Sequence, residues 1–406
     1  MTSPASPKNA AAGSPAPIAA PPSTSATATF ANSRLAGLCL VFLLAAGFLT
    51  VLYAVTLGGV SLTKPPVTWT AFLDGKTTQQ IADSLADTPL PQAAAKLERG
   101  LSWLAIGDLG PRVRQGCARW LFLNDELTVY KHAEANALAR AAELSQVKDR
   151  LASQGIALLV VVVPDKSRIS EQLLCGLRRP AAFEHRVDDW IKALPGVNIL
   201  SLANEMQDPQ QRYFLRTDTH WNEKGAETAA RAIAQRLREP GAFVLPASTL
   251  HMRTEVSAAV RRPGDLVRLA GIDWLPEGLQ PPADMMRPTR FIETGAQPAQ
   301  PENPAGNAAD TGDDLFGDTG VPSIAVLGTS FSRNASFIPF LETALGMRVG
   351  NFARDGGEFA GAAHAYFNSA SFKDTPPKLV IWEIPERSLQ RPLGGEPAIW
   401  PAKTGK

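Results

Sequence analysis

The sequence predicts an α/β protein: a three-layer domain with a mostly parallel sheet, preceded by one N-terminal transmembrane helix. The apolar runs IALLVVVVP and LVIWEIP are rich in β-branched residues, which is typical of strands buried on both faces. Helical patterns alternate with such runs, and repeated βα units place helices on both faces of a parallel sheet. An uncharged apolar stretch at residues 35–57 is long enough to cross a bilayer.

Two N-terminal segments lie outside this domain. Residues 1–33 are mostly Ala, Pro, Ser and Thr, a composition too poor in large apolar side chains to form a core, so we expect a disordered tail. Residues 34–57 exceed the apolar region of a cleaved signal peptide and predict an uncleaved signal anchor. Arg34 at its start, with Lys8 upstream, favours a cytoplasmic tail and an exported body, although two lysines follow the helix.

Residues 58–112 are interpreted as a spacer and lead-in that contains a short helix near residues 79–85, and residues 113–406 as the α/β domain. In the first half of the domain we predict a strand at 117–123, a helix at 126–155, a strand at 156–164, a helix at 183–194, a strand at 197–202 and a helix capped by Asn222. In the second half, strand, helix, strand, helix and strand follow between residues 321 and 385.

One stretch interrupts this alternation. Residues 276–322 are dense in Pro, Gly, Asp and Asn, which predicts a solvated, mobile insertion in the domain.

The charge balance and the histidine spacing exclude two classes of function. With 40 basic and 39 acidic residues spread along the chain, the sequence has no basic stripe of the kind that a nucleic-acid partner requires. Apart from His220, the histidines are scattered without paired ligand spacing, and no cysteine cluster accompanies them. We therefore predict neither a metal site nor a cofactor.

The cysteines leave one question open. Cys39 lies within the predicted anchor, so Cys117 and Cys175 are the pair available in the exported part, where oxidation is allowed. A disulfide and two buried free thiols are equally compatible with the sequence, because sequence separation does not determine the distance between two Cα atoms.

Asp218 and His220 form the first part of a candidate catalytic site. Two residues apart on an extended segment, both side chains leave the same face, so the carboxylate can orient the imidazole. The alternative is a surface pair at a helix entry. Ser330 follows the buried strand SIAVL in a Gly-containing turn, where parallel sheets gather active groups, although Ser330 or Ser332 can also serve as a helix cap.

In this order and spacing, the blocks TDTHWNEKGA, VLGTSFS, GNFARDGGE and LVIWEIPER resemble the alginate O-acetyltransferase AlgJ/AlgX family, whose domains are variants of the SGNH-hydrolase fold. ARWLFL, VVVPDKS and GDLVRL match weaker blocks, and the resemblance covers about residues 115–390. It implies Ser330 as nucleophile, His220 as base and Asp218 as the residue that orients the base.

The resemblance is closer to AlgJ, because the chain ends soon after WEIPER and begins with an anchor. It implies a single-pass inner-membrane protein whose periplasmic domain transfers acetyl groups to an exported polysaccharide. The acetyl donor would be supplied by a membrane acyltransferase. An acetyl esterase with the same three residues, and a non-catalytic scaffold of an envelope complex, are the alternatives.

Further residues near predicted strand ends are candidates for the site. For the oxyanion we propose the Ser330 amide with an N–H near Gly356, or Asn351, although the glycines of RDGG can also make a plain tight turn. Lys166 either positions an anionic sugar or is an exposed loop lysine. Glu383 and Arg387 either serve the site or form an ordinary ion pair at a strand end.

Overall fold

The computed structural model describes residues 34–63, 67–241, 243–245, 247–294 and 322–400. The tail predicted at 1–33 and most of the predicted insertion lie outside these residues. The chain divides into two compact units, with the boundary between Ala93 and Ala94.

The strands and helices are numbered in chain order. The strands are β1 Val113–Gln115, β2 Leu121–Leu123, β3 Ala157–Val163, β4 Asn198–Ser201, β5 Met252–Val256, β6 Val260–Arg262, β7 Asp284–Met286, β8 Thr289–Glu293, β9 Ile324–Leu327, β10 Gly350–Asn351 and β11 Leu379–Pro385. The helices are α1 Arg34–Thr56, α2 Trp69–Leu73, α3 Lys76–Ala86, α4 Pro89–Ile106, α5 Ala133–Ala152, α6 Lys166–Ile169, α7 Arg186–Lys192, α8 Glu223–Leu237, α9 Asp265–Leu269, α10 Phe337–Leu345, α11 Gly361–Phe367 and α12 Ala370–Asp374.

The first unit contains the apolar helix predicted from the sequence. Helix α1 has 23 residues and a mean hydropathy of 2.6, so it is long and apolar enough to cross a membrane. The short helix predicted near residues 79–85 lies within α3.

Helix α4 differs from the expectation, because it lies within residues 58–112, where the sequence predicts a spacer. Within the second unit, the indole Nε1 of Trp103 donates to the carbonyl of Leu279 at 2.7 Å. Leu109 packs in a small apolar cluster with Leu266 and Ile272. The compact unit therefore begins at Ala94, before the boundary at residue 113 that the sequence suggested.

The central sheet of the second unit is parallel, with the strand order β10-β9-β11-β3-β4. All residues of β9 and β11 are buried, as expected of strands covered on both faces. One apolar cluster packs α8 and α10 on one face, and a second packs α5, α7 and α11 on the other. The predicted three-layer α/β fold is confirmed.

The run CARWLFL does not join this sheet. Ala118 and Arg119 have φ angles of 47° and 61°, so the backbone turns before β2 begins. Strand β2 then pairs with β1 as an antiparallel hairpin. The structure joins Cys117 to Cys175 by a disulfide, with the Cα atoms 5.2 Å apart, which is the first of the two alternatives left open above.

The predicted insertion at 276–322 is wrong for its first part. Strand β7 pairs antiparallel with β6, and β8 pairs antiparallel with β5. Residues 284–293 therefore contribute one strand to each of two small antiparallel ribbons. The composition of the segment concealed them, because each strand is only three to five residues long. Strand β7 also carries a side chain that supports the candidate site.

Candidate active site

Ser330 lies in a 3-10 turn at the carboxyl end of β9. Glu383 of the neighbouring β11 holds this turn: its Oε2 accepts from the Thr329 backbone N at 2.7 Å and from the Ser332 hydroxyl at 3.0 Å. Burial raises the pKa of Glu383, while these hydrogen bonds act in the opposite direction. Ser332 therefore faces inward and Ser330 is left for the cleft.

Gly328 is required where β9 meets this turn. A Cβ at this position would overlap Glu383 Oε2 and lie 2.7 Å from the Ser332 hydroxyl oxygen. We expect Gly328→Ala to displace the Glu383 carboxylate and to reduce turnover of an acetyl ester at least about tenfold, because small misplacements of reacting groups are costly. The measurement is ester kinetics with a melting curve, and Gly394→Ala, with open space at the added Cβ and a position outside the cleft lining, is the matched control. Unchanged kinetics in Gly328→Ala would contradict this role of the glycine.

Asp218 and His220 lie on a tight turn, so the predicted extended segment is wrong. The turn is closed by a hydrogen bond from Leu215 N to His220 O at 3.2 Å, between the bridged residues Phe214 and Trp221. Within it, the His220 backbone N donates to Asp218 Oδ1 at 3.0 Å. The same oxygen lies 2.6 Å from His220 Nδ1. The two side chains meet because the backbone folds back on itself.

The structure brings this turn to Ser330. The hydroxyl of Ser330 lies 2.6 Å from Nε2 of His220, on the opposite side of the ring from Asp218. Burial alone would raise the pKa of Asp218, but the hydrogen bond and charge of His220, together with Arg262, lower it below its ordinary value. The arrangement can move a proton from the serine hydroxyl to the imidazole, with an ionised carboxylate behind the ring.

Lys166 is a buried support of the turn, so neither alternative considered from the sequence is correct. Its side chain is fully buried, and its ammonium donates to the carbonyls of Leu121, Arg216 and Asp218 at 2.6, 2.9 and 2.9 Å. Burial lowers the pKa of Lys166 to about 8. The lysine follows β3 directly, and its long stem carries the charge under the neighbouring turn.

Three polar residues of the site were not identified from the sequence: Arg262, Asn334 and Asp284. Arg262 Nη2 donates to Asn334 Oδ1 at 2.7 Å and lies 3.5 Å from Asp218 Oδ2. Asn334 in turn donates to the carbonyl of Ser330 at 2.8 Å. Asp284 accepts from the backbone N of Thr217 at 2.9 Å. These contacts tie the nucleophile turn and the histidine turn to the small antiparallel ribbons.

A fourth residue, Asp265, belongs to the weakly matching block GDLVRL, which was the available signal in the sequence. Ligand atoms of Asp218, His220 and Asp265 lie within 4.8 Å of one another, a separation that a metal ion can bridge. In this structure the same atoms are engaged in hydrogen bonds within the turn and with Thr219. The cluster is thus accounted for by protein contacts.

Of the groups predicted to bind the oxyanion, the Ser330 amide lies at the cleft, whereas Asn351 and Gly356 lie outside its lining. The Ser330 backbone N has no hydrogen-bond acceptor in the described part of the chain, so it is free to donate into the cleft. Asn351 is engaged with the carbonyl of Ser332 at 3.4 Å and with Ala353 N at 3.1 Å, outside the cleft lining. Gly356 has φ of 68° in a tight turn and is also outside the lining, although its neighbour Asp355 belongs to it.

Of the two alternatives for Glu383 and Arg387, the ordinary strand-end ion pair is not found in the described structure. Glu383 is engaged with Thr329 and Ser332 as described above. Arg387 is largely buried, and its guanidinium carbon lies 5.5 Å from the centroid of the Phe331 ring. That ring contacts the imidazole of His220, with centroids 5.2 Å apart. Arg387 thus supports the site indirectly, through the residue that follows Ser330.

A cleft of about 830 Å³ opens beside Ser330 and His220. Beyond the two turns, its wall is formed mainly by residues 261–280, including Arg261, Arg268 and the half-exposed Trp274. An acetyl group occupies only a small part of this volume, so the cleft has room for a larger second substrate.

This geometry defines an SGNH hydrolase-like domain: a parallel α/β sheet with a serine at the end of a central strand and a histidine turn facing it. The chain belongs to the family described as "SGNH hydrolase-like domain, acetyltransferase AlgX", whose model matches residues 113–386. It is an acetyltransferase of the SGNH-like class. The family predicted from the sequence is therefore confirmed.

Individual relatives agree with this assignment. The chain is 31% identical over 310 residues to "Probable alginate O-acetylase AlgJ" of Azotobacter vinelandii, covering 74% of this chain and 76% of that protein. It is 31% identical over 335 residues to the protein of the same name from Pseudomonas syringae pv. tomato, covering 79% of this chain and 80% of that protein. Among solved structures, "O-Acetyltransferase Domain of Pseudomonas putida AlgJ" matches with a TM-score of 0.57 and 26% identity, covering 70% of this chain and 93% of that one.

Proposed function

We propose that this protein transfers an acetyl group through an ester of Ser330 to hydroxyl groups of an exported, alginate-like polysaccharide. The observation that carries the proposal is the hydrogen-bonded chain from Ser330 Oγ through both nitrogens of His220 to Asp218, with both distances 2.6 Å. Relatives named alginate O-acetylase support the choice of acceptor.

In the first half-reaction, Ser330 Oγ attacks the carbonyl carbon of an acetyl donor while His220 Nε2 takes the hydroxyl proton. The negative oxygen of the tetrahedral intermediate accepts from the free Ser330 N–H. The intermediate then collapses: the bond to the donor oxygen breaks, the leaving group takes the proton from His220, and acetyl-serine remains. Asp218 keeps the ring in the tautomer that presents a bare Nε2 to the serine.

In the second half-reaction, a sugar hydroxyl replaces the departed donor. His220 Nε2 takes its proton, the sugar oxygen attacks the acetyl carbonyl, and Ser330 Oγ leaves with the proton that the imidazole returns. Water in the same place would release acetate instead. The competition between sugar and water therefore separates a transferase from an esterase.

The far wall of the cleft is suited to hold the acceptor. Trp274 is 45% exposed although its indole Nε1 is fixed on the carbonyl of Gly271 at 3.1 Å, so it offers a rigid apolar face. Arg268 is exposed in the same wall and has no ion-pair partner in the described structure. A guanidinium without a partner can bind the carboxylate of a uronate unit.

The test uses full-length protein in detergent, an activated aryl acetate as donor and a uronate oligosaccharide as acceptor. We expect mass spectrometry to find acetyl groups on the sugar. Free acetate as the sole product, whatever the acceptor concentration, would favour the esterase. No cleavage of the donor would favour a scaffold.

Trp274→Ala is expected to raise the acceptor KM roughly tenfold, because the sugar loses an apolar contact worth about 1–2 kcal/mol. The effect on donor cleavage should be smaller than the effect on transfer. Trp69→Ala, which changes an exposed tryptophan of the first unit, is the matched control. Equal losses for cleavage and transfer would contradict an acceptor role of Trp274.

We also propose the placement of this protein: a single-pass anchor at residues 34–57 in the inner membrane, with residues 58–93 as a connection and the second unit in the periplasm. The apolar helix α1 supports the anchor. The disulfide between Cys117 and Cys175 supports an oxidising compartment. A membrane acyltransferase that carries acetyl groups outward is the donor system that this placement requires.

A further inference from the structure

The turn that carries His220 is held by a second carboxylate from a different part of the chain. Asp265, the first residue of α9, accepts from the Thr219 backbone N at 2.7 Å and from the Thr219 hydroxyl at 2.6 Å. Its Oδ2 lies 3.7 Å from His220 Nδ1, the ring nitrogen that is also 2.6 Å from Asp218. One side of the imidazole therefore faces two carboxylates.

We propose that Asp265 is a positioning residue that stabilises the positively charged form of His220 during acetyl transfer. The inference rests on the proposed function, in which His220 takes a proton twice per cycle. Asp218 is hydrogen-bonded to Nδ1 and fixes the tautomer. Asp265 has no hydrogen bond to the ring, so it acts by its charge, and charges a few ångströms apart interact several times more strongly in a protein than in bulk water.

Thr219 couples the second carboxylate to the ring. Because its hydroxyl donates to Asp265, an oxygen lone pair is left to face His220 Nδ1, 3.3 Å away. The side chain of Asp265 is 19% exposed, so its charge is only partly screened. Burial and then the negative charge of Asp218 raise the pKa of Asp265. The two carboxylates thus repel each other unless a positive charge lies between them, and protonation of His220 places one there.

Other charges near the turn are directed elsewhere. Among the described residues, the charged side chains that contact the turn from the elements packed against it are Arg262, Asp265, Asp284 and Lys166. The turn itself carries Asp218 and Arg216, and the Arg216 guanidinium donates to the carbonyls of Pro282 and Ala283. Asp284 accepts from Thr217, and Lys166 donates to backbone carbonyls. Within the described residues, Asp218 and Asp265 are the carboxylates whose oxygens lie within 4.0 Å of a ring nitrogen of His220.

The deciding variant is Asp265→Asn, which keeps the shape and an acceptor for Thr219 N but removes the charge. With full-length protein in detergent and an activated aryl acetate, kcat/KM is measured against pH. Loss of the negative charge disfavours the protonated ring, so the midpoint of the acid limb should move about one pH unit lower. The plateau should fall about tenfold, because the transition state also contains the charged ring.

A merely structural role gives a different result. If Asp265 only supports the turn, Asp265→Asn lowers the plateau without moving the midpoint, and the inference is wrong. Thr219→Val removes the hydroxyl but keeps the carboxylate, so its midpoint should stay closer to wild type than that of Asp265→Asn. Asp265→Ser gives the same readout if Asp265→Asn does not fold.

Two controls separate this inference from the proposed function. Glu342→Gln alters a buried carboxylate that accepts a hydrogen bond from Val349 N away from the cleft. It should lower stability as Asp265→Asn does, but it should not move the midpoint of the acid limb. Ser330→Ala tests the proposed function itself. Activity in Ser330→Ala would reject that function, whereas an inactive Ser330→Ala with an unmoved midpoint in Asp265→Asn would reject the role of Asp265 alone.

Discussion

Ser330→Ala is expected to reduce acetyl ester turnover by at least about 10³-fold while leaving the fold intact. Oγ of Ser330 is the atom that would bond to the acetyl carbon. Its hydroxyl is the one hydroxyl in the described structure that lies within hydrogen-bond distance of His220 Nε2. The measurement combines ester kinetics with a melting curve. Mass spectrometry of protein stopped during turnover should find acetyl on the peptide that contains Ser330.

The combination with His220→Ala gives a second readout. If the residues act as one unit, the double variant loses little more activity than either single variant. Ser332→Ala is the matched control, because its hydroxyl is buried against Glu383 and faces away from the imidazole. It should lose about 1 kcal/mol of stability, with far less effect on turnover. Acetyl on Ser332, or full activity in Ser330→Ala, would contradict the proposed nucleophile.

The strands of the central sheet and the helices that pack on them were predictable, because local pattern determines them. The buried runs that became β3 and β11 are β-branched and uninterrupted, and no other regular structure buries both faces of so short a segment. The cap of α8 was equally local: the Asn222 side chain accepts from Gly225 N at 2.9 Å. Such signals depend on neighbours in sequence, so a single chain carries them in full.

The surroundings of the site were not predictable from local pattern, because their contacts are distant in sequence. Arg262 and Asn334 are 72 residues apart, and Thr217 and Asp284 are 67 residues apart. A short strand such as β7 leaves no periodicity to detect. The resemblance implied Ser330, His220 and Asp218 as the catalytic residues, whereas the residues that support the turn are evident only in the packed structure.

Lys166 shows most clearly why the environment of a residue could not be predicted from local pattern. The sequence predicts a position on the rim, since Lys166 follows a predicted strand end, and loops are usually exposed. In the structure its three carbonyl acceptors come from two other segments, residue 121 and residues 216–218. A buried ammonium requires such partners, because burying it without them would be far costlier than keeping it in water.

We expect Lys166→Met to lower the free energy of unfolding by about 3–5 kcal/mol and turnover roughly 100-fold. The methionine fills a similar volume but leaves the buried carbonyls of Leu121 and Asp218 without their donor, at about 1–3 kcal/mol each before relaxation. The Arg216 carbonyl keeps its hydrogen bond from Leu121 N at 2.9 Å. Because the Asp218 carbonyl loses its donor, the turn that orients His220 loosens. The measurements are denaturant unfolding and ester kinetics. Lys192→Met, at a lysine whose side chain is 75% exposed, should change stability by less than about 0.5 kcal/mol.

The pH dependence of the same variant tests the buried charge directly. The pKa of Lys166 is lowered to about 8 in the folded protein from 10.5, so between these values the unfolded chain binds more protons. Wild-type stability should therefore gain relative to Lys166→Met as the pH rises from about 8 to 10.5, and the difference should be constant below that window. A stability difference that stays constant across the window, or that shrinks only above pH 10.5, would mean that the ammonium keeps its proton in the folded protein. The three carbonyls would then stabilise the charge more than burial destabilises it.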